Sequence, residues 1–238
     1  MEENRSSYAE RVSRTALLLS PEAMERLRGA HVMLFGLGGV GSYAAEALAR
    51  AGVGRLTLVD ADTVTPGNLN RQLPALRSTV GQSKAHVMAS RLRDAAPDAE
   101  ITPIERFHLP TSPVPIPPDV DFLADAVDTV AAKLDLAQQA KARAIPIISC
   151  MGMGNRLDPT KIRLGDIFET KECPLCRVMR RELRRRGIDA LPCVYSTEPA
   201  RKPTAPEGEK AVPGSVSFVP SVAGLYMAYH IVRTLADF

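Results

Sequence analysis

Tryptophan is absent from this sequence, and aromatic residues make up only 5% of it. A core built from it must be aliphatic, packed by Leu, Val, Ile and Ala. The hydrophobic content of 45% across 238 residues is enough to form one. Cysteine is scarce too: the four present are irregularly spaced, which excludes a secreted disulfide framework. No apolar run is long enough to span a bilayer. The longest near the C-terminus, Val222 to Val232, is short and contains His230. The opening Met1-Glu2-Glu3-Asn4-Arg5 lacks the apolar core of a signal peptide. These absences predict a cytoplasmic chain with no membrane segment. The net charge of +3 says little about partners, because distribution matters more than the sum.

What is present is an alternation. His31–Phe35, Arg55–Val59, Glu100–Glu105, Val120–Val127 and Ile145–Ser149 read as strands. Val40–Ala51, Gln82–Ala95 and Thr129–Arg143 read as helices, the first closed by Gly52 and the second followed by Pro97. Leu109–Pro118 carries five prolines and must be irregular. Strands alternating with helices predict an α/β fold: a Rossmann-like, doubly wound, mostly parallel sheet. Beyond residue 150 the pattern changes. A further strand is expected within Lys161–Glu169, as an antiparallel C-terminal extension, and a basic helix over Pro174–Arg186 with proline in its first turn. A mobile loop rich in Pro, Lys and Glu is expected over 198–214, then an apolar helix over Val219–Leu235.

The chemistry starts at the first strand's end. Gly36, Gly38 and Gly41, within Gly36-Leu37-Gly38-Gly39-Val40-Gly41, match a nucleotide fingerprint. Glycine permits the tight turn, the approach of backbone to phosphate and close packing of the next helix. The helix N-terminus supplies unpaired N–H groups and a positive dipole end. Asp60 closes the next strand 24 residues after Gly36, where such folds place a ribose-binding carboxylate. Strand, helix and acid in register point to an adenosine-containing ligand but do not separate ATP from NAD.

Charge separates them. Asn68-Leu69-Asn70-Arg71-Gln72 follows Asp60, and Lys84 opens a helix. A triphosphate carries more charge than a helix end neutralises, and Arg71 and Lys84 supply a fork and a point charge. Asp128 ends another parallel strand, on the edge where such sheets bind ligands, and a carboxylate there can hold Mg2+ on the phosphates.

With these pieces in hand the chain resembles the ubiquitin-activating-enzyme-like (ThiF) superfamily, which includes molybdopterin and thiamin sulfur-carrier adenylyltransferases. The matching segments are Arg11-Val12-Ser13-Arg14, the Gly36–Gly41 turn, Leu58-Val59-Asp60-Ala61-Asp62, Asn68 to Gln72, Gly81-Gln82-Ser83-Lys84 and Asp125-Ala126-Val127-Asp128. The resemblance implies that Gly36, Gly38, Gly39, Gly41, Asp60, Asp62, Asn68, Arg71, Gln72, Lys84 and Asp128 surround ATP and its magnesium. It also implies a homodimer in which Arg14 reaches the partner's nucleotide. The division that follows is one adenylylating unit. Residues 1–30 form a helical arm, 31–150 the nucleotide-binding core, and 151–238 a part facing substrate and dimer partner.

The second half resembles one branch, the tRNA threonylcarbamoyladenosine dehydratases, in Ile148-Ser149-Cys150-Met151-Gly152-Met153-Gly154-Asn155, Asp158-Pro159-Thr160, Cys173 to Leu183 and Pro213 to Gly224. That likeness implies an enzyme that adenylylates the threonyl carboxylate of a modified adenosine beside the tRNA anticodon and lets an intramolecular nucleophile close a ring. Arg71, Lys84, Asp128 and a partner-supplied Arg14 would carry the charge. A sulfur-transfer or desulfurase partner stays open. So does the alternative of an adenylyltransferase for a ubiquitin-like sulfur carrier. Against that alternative, Cys173 and Cys176 form one Cys-x-x-Cys while Cys150 and Cys193 are isolated, and a four-thiolate zinc site needs paired spacings. Buried, inert thiols are the expectation. An NAD-dependent oxidoreductase is disfavoured by the Arg71, Lys84 and Asp128 set. A non-catalytic scaffold is disfavoured by the intact ATP positions. Finally, Arg177, Arg180, Arg181 and Arg184 share one helical face at i, i+3, i+4 and i+7, an expected contact to the tRNA phosphate backbone.

Overall fold

The computed structural model describes residues 8–171, 173–202 and 212–238. Seven strands form one sheet: β1 (His31–Phe35), β2 (Arg55–Val59), β3 (Glu100–Ile104), β4 (Phe122–Asp125), β5 (Ile147–Cys150), β6 (Ile162–Asp166) and β7 (Pro192–Ser196). Their spatial order is β3-β2-β1-β4-β5-β7-β6. All neighbours run parallel except β6, which pairs antiparallel with β7 at the edge. The chain winds outward from β1 to β3 and then returns to β4, so the direction of winding reverses between β1 and β4. Doubly wound sheets open a ligand crevice at such a reversal.

The helices are α1 (Pro21–Gly29), α2 (Gly41–Ala51), α3 (Lys84–Ala95), α4 (Val130–Arg143), α5 (Pro174–Arg185) and α6 (Phe218–Ala236). Strand β1 is buried along its whole length and feeds both faces of the sheet by simple alternation. Val32 and Leu34 join a core with α1, α2, α3 and α6, whereas Met33 and Phe35 meet α4 and the proline-rich segment through Val114 and Ile116. A third cluster lies between α4, α5 and β7 and contains Cys173, Cys176 and Cys193. Helix α6 crosses α2 at Gly224, where an added Cβ would lie 2.3 Å from the Val40 carbonyl oxygen. Any larger residue would push α6 off the glycine turn.

The expected α/β sheet with an antiparallel extension is the observed one. Most element ends shift by one or two residues, and three differences have a local reason. The helix expected from Gln82 begins at Lys84, because the Gln82 carbonyl accepts from Val64 N–H at 2.8 Å and holds that residue in a loop. The strand expected over Lys161–Glu169 is narrower. Asp166 ends it by accepting from Phe168 N–H at 2.8 Å and Leu191 N–H at 2.7 Å. Strand β7 is not anticipated from the sequence; it begins on a proline and is completed by its partners. Of the loop expected over 198–214, residues 203–211 lie outside the described residues. Among the described residues no helix is long and apolar enough to cross a membrane.

Candidate active site

The turn after β1 is built so that only glycine fits at two of its positions. Gly36 has φ +88, and a Cβ there would stand 2.7 Å from the Ala126 carbonyl oxygen. A Cβ on Gly41 would stand 1.8 Å from the Gly36 carbonyl oxygen. The first restriction brings the β1 and β4 ends together; the second lets α2 start directly over the turn. Gly41 therefore does packing work and does not line the cavity, while Gly36, Gly38 and Gly39 do.

Asp60 accepts from Leu37 N–H at 2.6 Å through one oxygen and from Asp62 N–H at 2.8 Å through the other. The carboxylate expected to meet a ribose is thus also the brace of the glycine turn. Burial pushes its carboxyl above the ordinary range despite those N–H donors and the nearby Lys84 charge. A carboxylate so short of solvation gains from a further donor such as a ribose hydroxyl.

The excursion between β2 and α3 folds back on itself. Val64 N–H donates to Gln82, Gly81 N–H donates to Val64, and Lys84 N–H donates to Asp62. This returns Lys84 to Asp62, and its Nζ donates to Asp62 Oδ2 at 2.8 Å. Lys84 is buried and opens α3, where a cation opposes the helix dipole. Such a position is costly for structure alone and useful for an anion. Arg71 arches over the turn, with its Cγ 3.4 Å from where a Gly39 Cβ would be. Its Nη1 donates to the Gly67 carbonyl at 2.8 Å and to Asn70 Oδ1 at 2.8 Å. Asn68 Oδ1 accepts from Thr65 N–H at 3.1 Å, and Gln72 is buried beneath Gly38. Asp128 is exposed, its carboxylate accepting only from the Thr129 hydroxyl at 3.3 Å among the described residues.

Asp60, Asp62, Asn68, Arg71, Gln72, Lys84 and Asp128 line one cavity of about 400 Å3 together with the turn, a size that suits a nucleotide. Arg14 does not reach it; it is exposed and caps the short 3-10 turn Thr15–Leu17. The lining run Arg106, Phe107, His108 and Leu109 has no counterpart among the sequence-based site expectations, and Pro220 lines the cavity from within the quoted Pro213–Gly224 segment. Phe107 is 65% exposed, an aromatic face left open on the cavity's edge. The loop carrying it is anchored by buried His108, whose Nε2 meets Asp135 Oδ2 at 2.8 Å and whose Nδ1 accepts from Val114 N–H at 3.2 Å. The signal available was an aromatic next to a cation directly after β3.

The basic helix divides its expected face. Arg177, Arg181 and Arg184 are exposed, with Arg181 Nε donating to Glu182 Oε1 at 3.2 Å. Arg180 instead donates to the Thr170 carbonyl at 2.8 Å, and Arg184 stacks over Phe168 at 5.2 Å. All four cysteines are free and buried. Burial pushes the Cys150 thiol up to about 12, so it stays protonated. The Cys173 thiol, which precedes α5, is held below its ordinary range chiefly by its hydrogen bond with Cys176.

Known proteins share this fold. The ThiF family model matches residues 12–238. The tRNA threonylcarbamoyladenosine dehydratase of Bacillus subtilis is 40% identical over 237 residues, covering 94% of this chain and 93% of that protein. Two crystal structures of the Escherichia coli tRNA N6-threonylcarbamoyladenosine dehydratase TcdA are also similar, each at 32% identity over 96% of this chain and 95% of theirs. The TM-score is 0.85 for the complex with AMP and 0.84 for the complex with ATP. A match that begins in the N-terminal arm and runs to the last residue takes in both halves of the sheet, and the chain belongs to the ThiF family.

Proposed function

We propose that this chain is an ATP-dependent dehydratase that cyclises N6-threonylcarbamoyladenosine in tRNA. The observation that carries the reading is one cavity uniting a nucleotide turn, the cations Arg71, Lys84 and Arg106, and the exposed carboxylate of Asp128. Its near full-length likeness to proteins named for that reaction supports the choice of substrate.

The chemistry follows from the leaving group. A carboxylate is a poor electrophile because oxide must leave. Attack of the threonyl carboxylate on the α-phosphate of ATP releases pyrophosphate and gives an acyl adenylate. The carbamoyl group in the same molecule then attacks the acyl carbon, closes the ring and releases AMP. Because the nucleophile is tethered, positioning supplies much of the rate. No protein nucleophile is needed, and the buried, protonated Cys150 offers none. Arg71 and Lys84 stabilise charge on the phosphates as it develops. Lys84 exchanges its Asp62 partner for phosphate, Asp60 holds the ribose, and Asn68 and Gln72 complete the wall. Asp128 would hold magnesium: one exposed carboxylate beside phosphate oxygens is the donor set that Mg2+ accepts while keeping several waters. The ion would neutralise phosphate charge there. Arg14 lies outside the cavity of its own chain, so its part in the reaction requires a homodimer in which it enters the partner's site. Leu225, Tyr226 and Tyr229 on the exposed side of α6 and Leu17 and Leu18 beside Arg14 supply apolar surface for such a contact. Residues 1–238 then act as one unit, the last part presenting tRNA through Arg177 and Arg181, in the cytoplasm.

The test is to incubate the chain with ATP, magnesium and threonylcarbamoyl-modified tRNA and to follow the nucleoside by mass spectrometry. Loss of one water is expected, and Lys84→Ala should slow it by roughly a hundredfold or more. An unchanged nucleoside, with adenylylation of a small carrier protein instead, would move the function to the sulfur-carrier branch.

A further inference from the structure

Asn70 lies inside the Asn68–Gln72 segment but does not line the cavity. Its carboxamide is nevertheless used at both ends. Asn70 Oδ1 accepts from Arg71 Nη1 at 2.8 Å, and Asn70 Nδ2 donates to the Ser215 carbonyl at 3.0 Å, 145 residues along the chain. A carboxamide accepts from a guanidinium through its oxygen while donating to a carbonyl through its nitrogen, so each partner is held by a separate atom. Ser215 is itself held from the other side. Its neighbour Gly214 donates its N–H to Asn155 Oδ1 at 2.7 Å and accepts from Asn155 N–H at 2.8 Å. Asn155 sits at φ 61 in the loop after β5, and its carbonyl accepts from Arg201 N–H at 2.8 Å. A chain of hydrogen bonds therefore runs from the loop after β5, through residues 214–215, to the guanidinium over the glycine turn. Three residues beyond Ser215 begins α6, whose Pro220 lies 3.1 Å from where a Gly39 Cβ would be.

We propose that Asn70 is a positioning residue for Arg71, fixing its guanidinium to the main chain at Ser215 so that the C-terminal part sets the orientation of a phosphate-binding cation. Arg71 otherwise has only the Gly67 carbonyl to orient it, and Nε and Nη2 have no partner among the described residues. A long side chain with four rotatable bonds loses affinity for phosphate to its own freedom. Tethering Nη1 holds the fork in one plane and leaves the other nitrogens for the ligand. The proposal rests on the reading of Arg71 as a triphosphate contact.

The experiment is a double-mutant cycle on the full chain, read by calorimetric titration with ATP and magnesium, which needs no tRNA turnover. Asn70→Ala should weaken ATP binding about tenfold, the size expected for a lost hydrogen bond to a charged group, with an unchanged thermal midpoint. Asn70→Asp, which still accepts from Arg71 but no longer donates to Ser215, should fall between Asn70→Ala and the parent chain. Arg71→Ala should weaken binding more, and Asn70→Ala on top of Arg71→Ala should add nothing, because the residue it positions is gone. If the two effects multiply, or if Asn70→Ala binds like the parent, the positioning role is overturned while the Arg71 assignment stands. If Arg71→Ala alone leaves ATP affinity intact, that assignment fails first and takes this proposal with it.

Discussion

Away from the cavity and its Lys84, each half of the sheet buries one cation among the described residues, and the two do so by opposite means. Lys133 on α4 is enclosed between β4 and β5. Its Nζ donates to both oxygens of Asp125 at 3.1 Å, to Ser149 Oγ at 3.1 Å and to the Cys150 carbonyl at 2.7 Å. Arg156, after β5, has no carboxylate. It donates to the carbonyls of Glu198 at 3.1 Å, Gly154 at 3.2 Å and Gly152, and its Nη2 is buried without a partner among the described residues. The first cation is neutralised and saturated; the second is only solvated by main chain. The lysine network also braces the site, because Asp125 Oδ1 accepts from Val127 N–H at 3.2 Å at the turn leading to Asp128. The nucleotide half is thus locked by charge pairing. The second half holds its loop, residues 151–156, through main-chain dipoles alone around Arg156.

The largest effect that tests this contrast is on stability. Lys133→Met leaves the Asp125 carboxylate buried without its cation and should cost about 3–5 kcal/mol in denaturant unfolding. Adding Asp125→Asn should recover part of the loss. Arg156→Met strands carbonyls but removes an unpaired charge, so its cost should stay near ~1–2 kcal/mol. Equal losses from the two variants would erase the contrast.

The same contrast explains what is legible in the sequence. The glycine turn, Asp60, Lys84 and Asp128 stand at strand ends or open a helix, where local spacing fixes both identity and place. Arg71 is legible for a related reason, as the cation of a short polar segment directly after such an end. Lys133 reads as one polar residue of a helix, although it occupies an apolar position of α4 in step with Leu136 and Ala140. A lysine at a core position is the available signal. Arg106 and Phe107 are hidden because they lead into a proline-rich loop, which has no periodicity to follow. The bond from Asn70 to Ser215 and the divided roles of Arg180 and Arg184 depend on contacts that no local pattern encodes. Strand β7 is short and opens on a proline, so it does not stand out locally; its pairing with β5 and β6 defines it.

A second, smaller effect concerns the basic helix α5. With Arg180 committed to Thr170 and Arg184 to Phe168, only Arg177 and Arg181 of the expected face are unencumbered by those contacts. Arg177→Gln with Arg181→Gln should weaken tRNA binding and flatten its dependence on log salt by about one unit for each phosphate the two arginines no longer neutralise. ATP binding, read by calorimetry, should not change. An unchanged salt slope would place the tRNA elsewhere on the chain.

The smallest effect belongs to the N-terminal arm, which is held by an ion pair at the rim. Arg11 donates to Asp98 at 2.7 and 2.6 Å and to the Ala49 carbonyl at 2.6 Å. Burial pushes the Asp98 carboxyl up, but the Arg11 guanidinium more than offsets this and holds it below the ordinary carboxylate range. A depressed carboxylate contributes stability that is complete above its unfolded value, near pH ~4, and is lost as pH falls through the lower folded value. The arm should therefore loosen only in strong acid, and Arg11→Ala should remove that acid dependence. At neutral pH the same substitution should cost about 1 kcal/mol, read as a small drop in thermal midpoint. A loss as large as that of Lys133→Met would mean that the arm is part of the locked half, not an attachment to it.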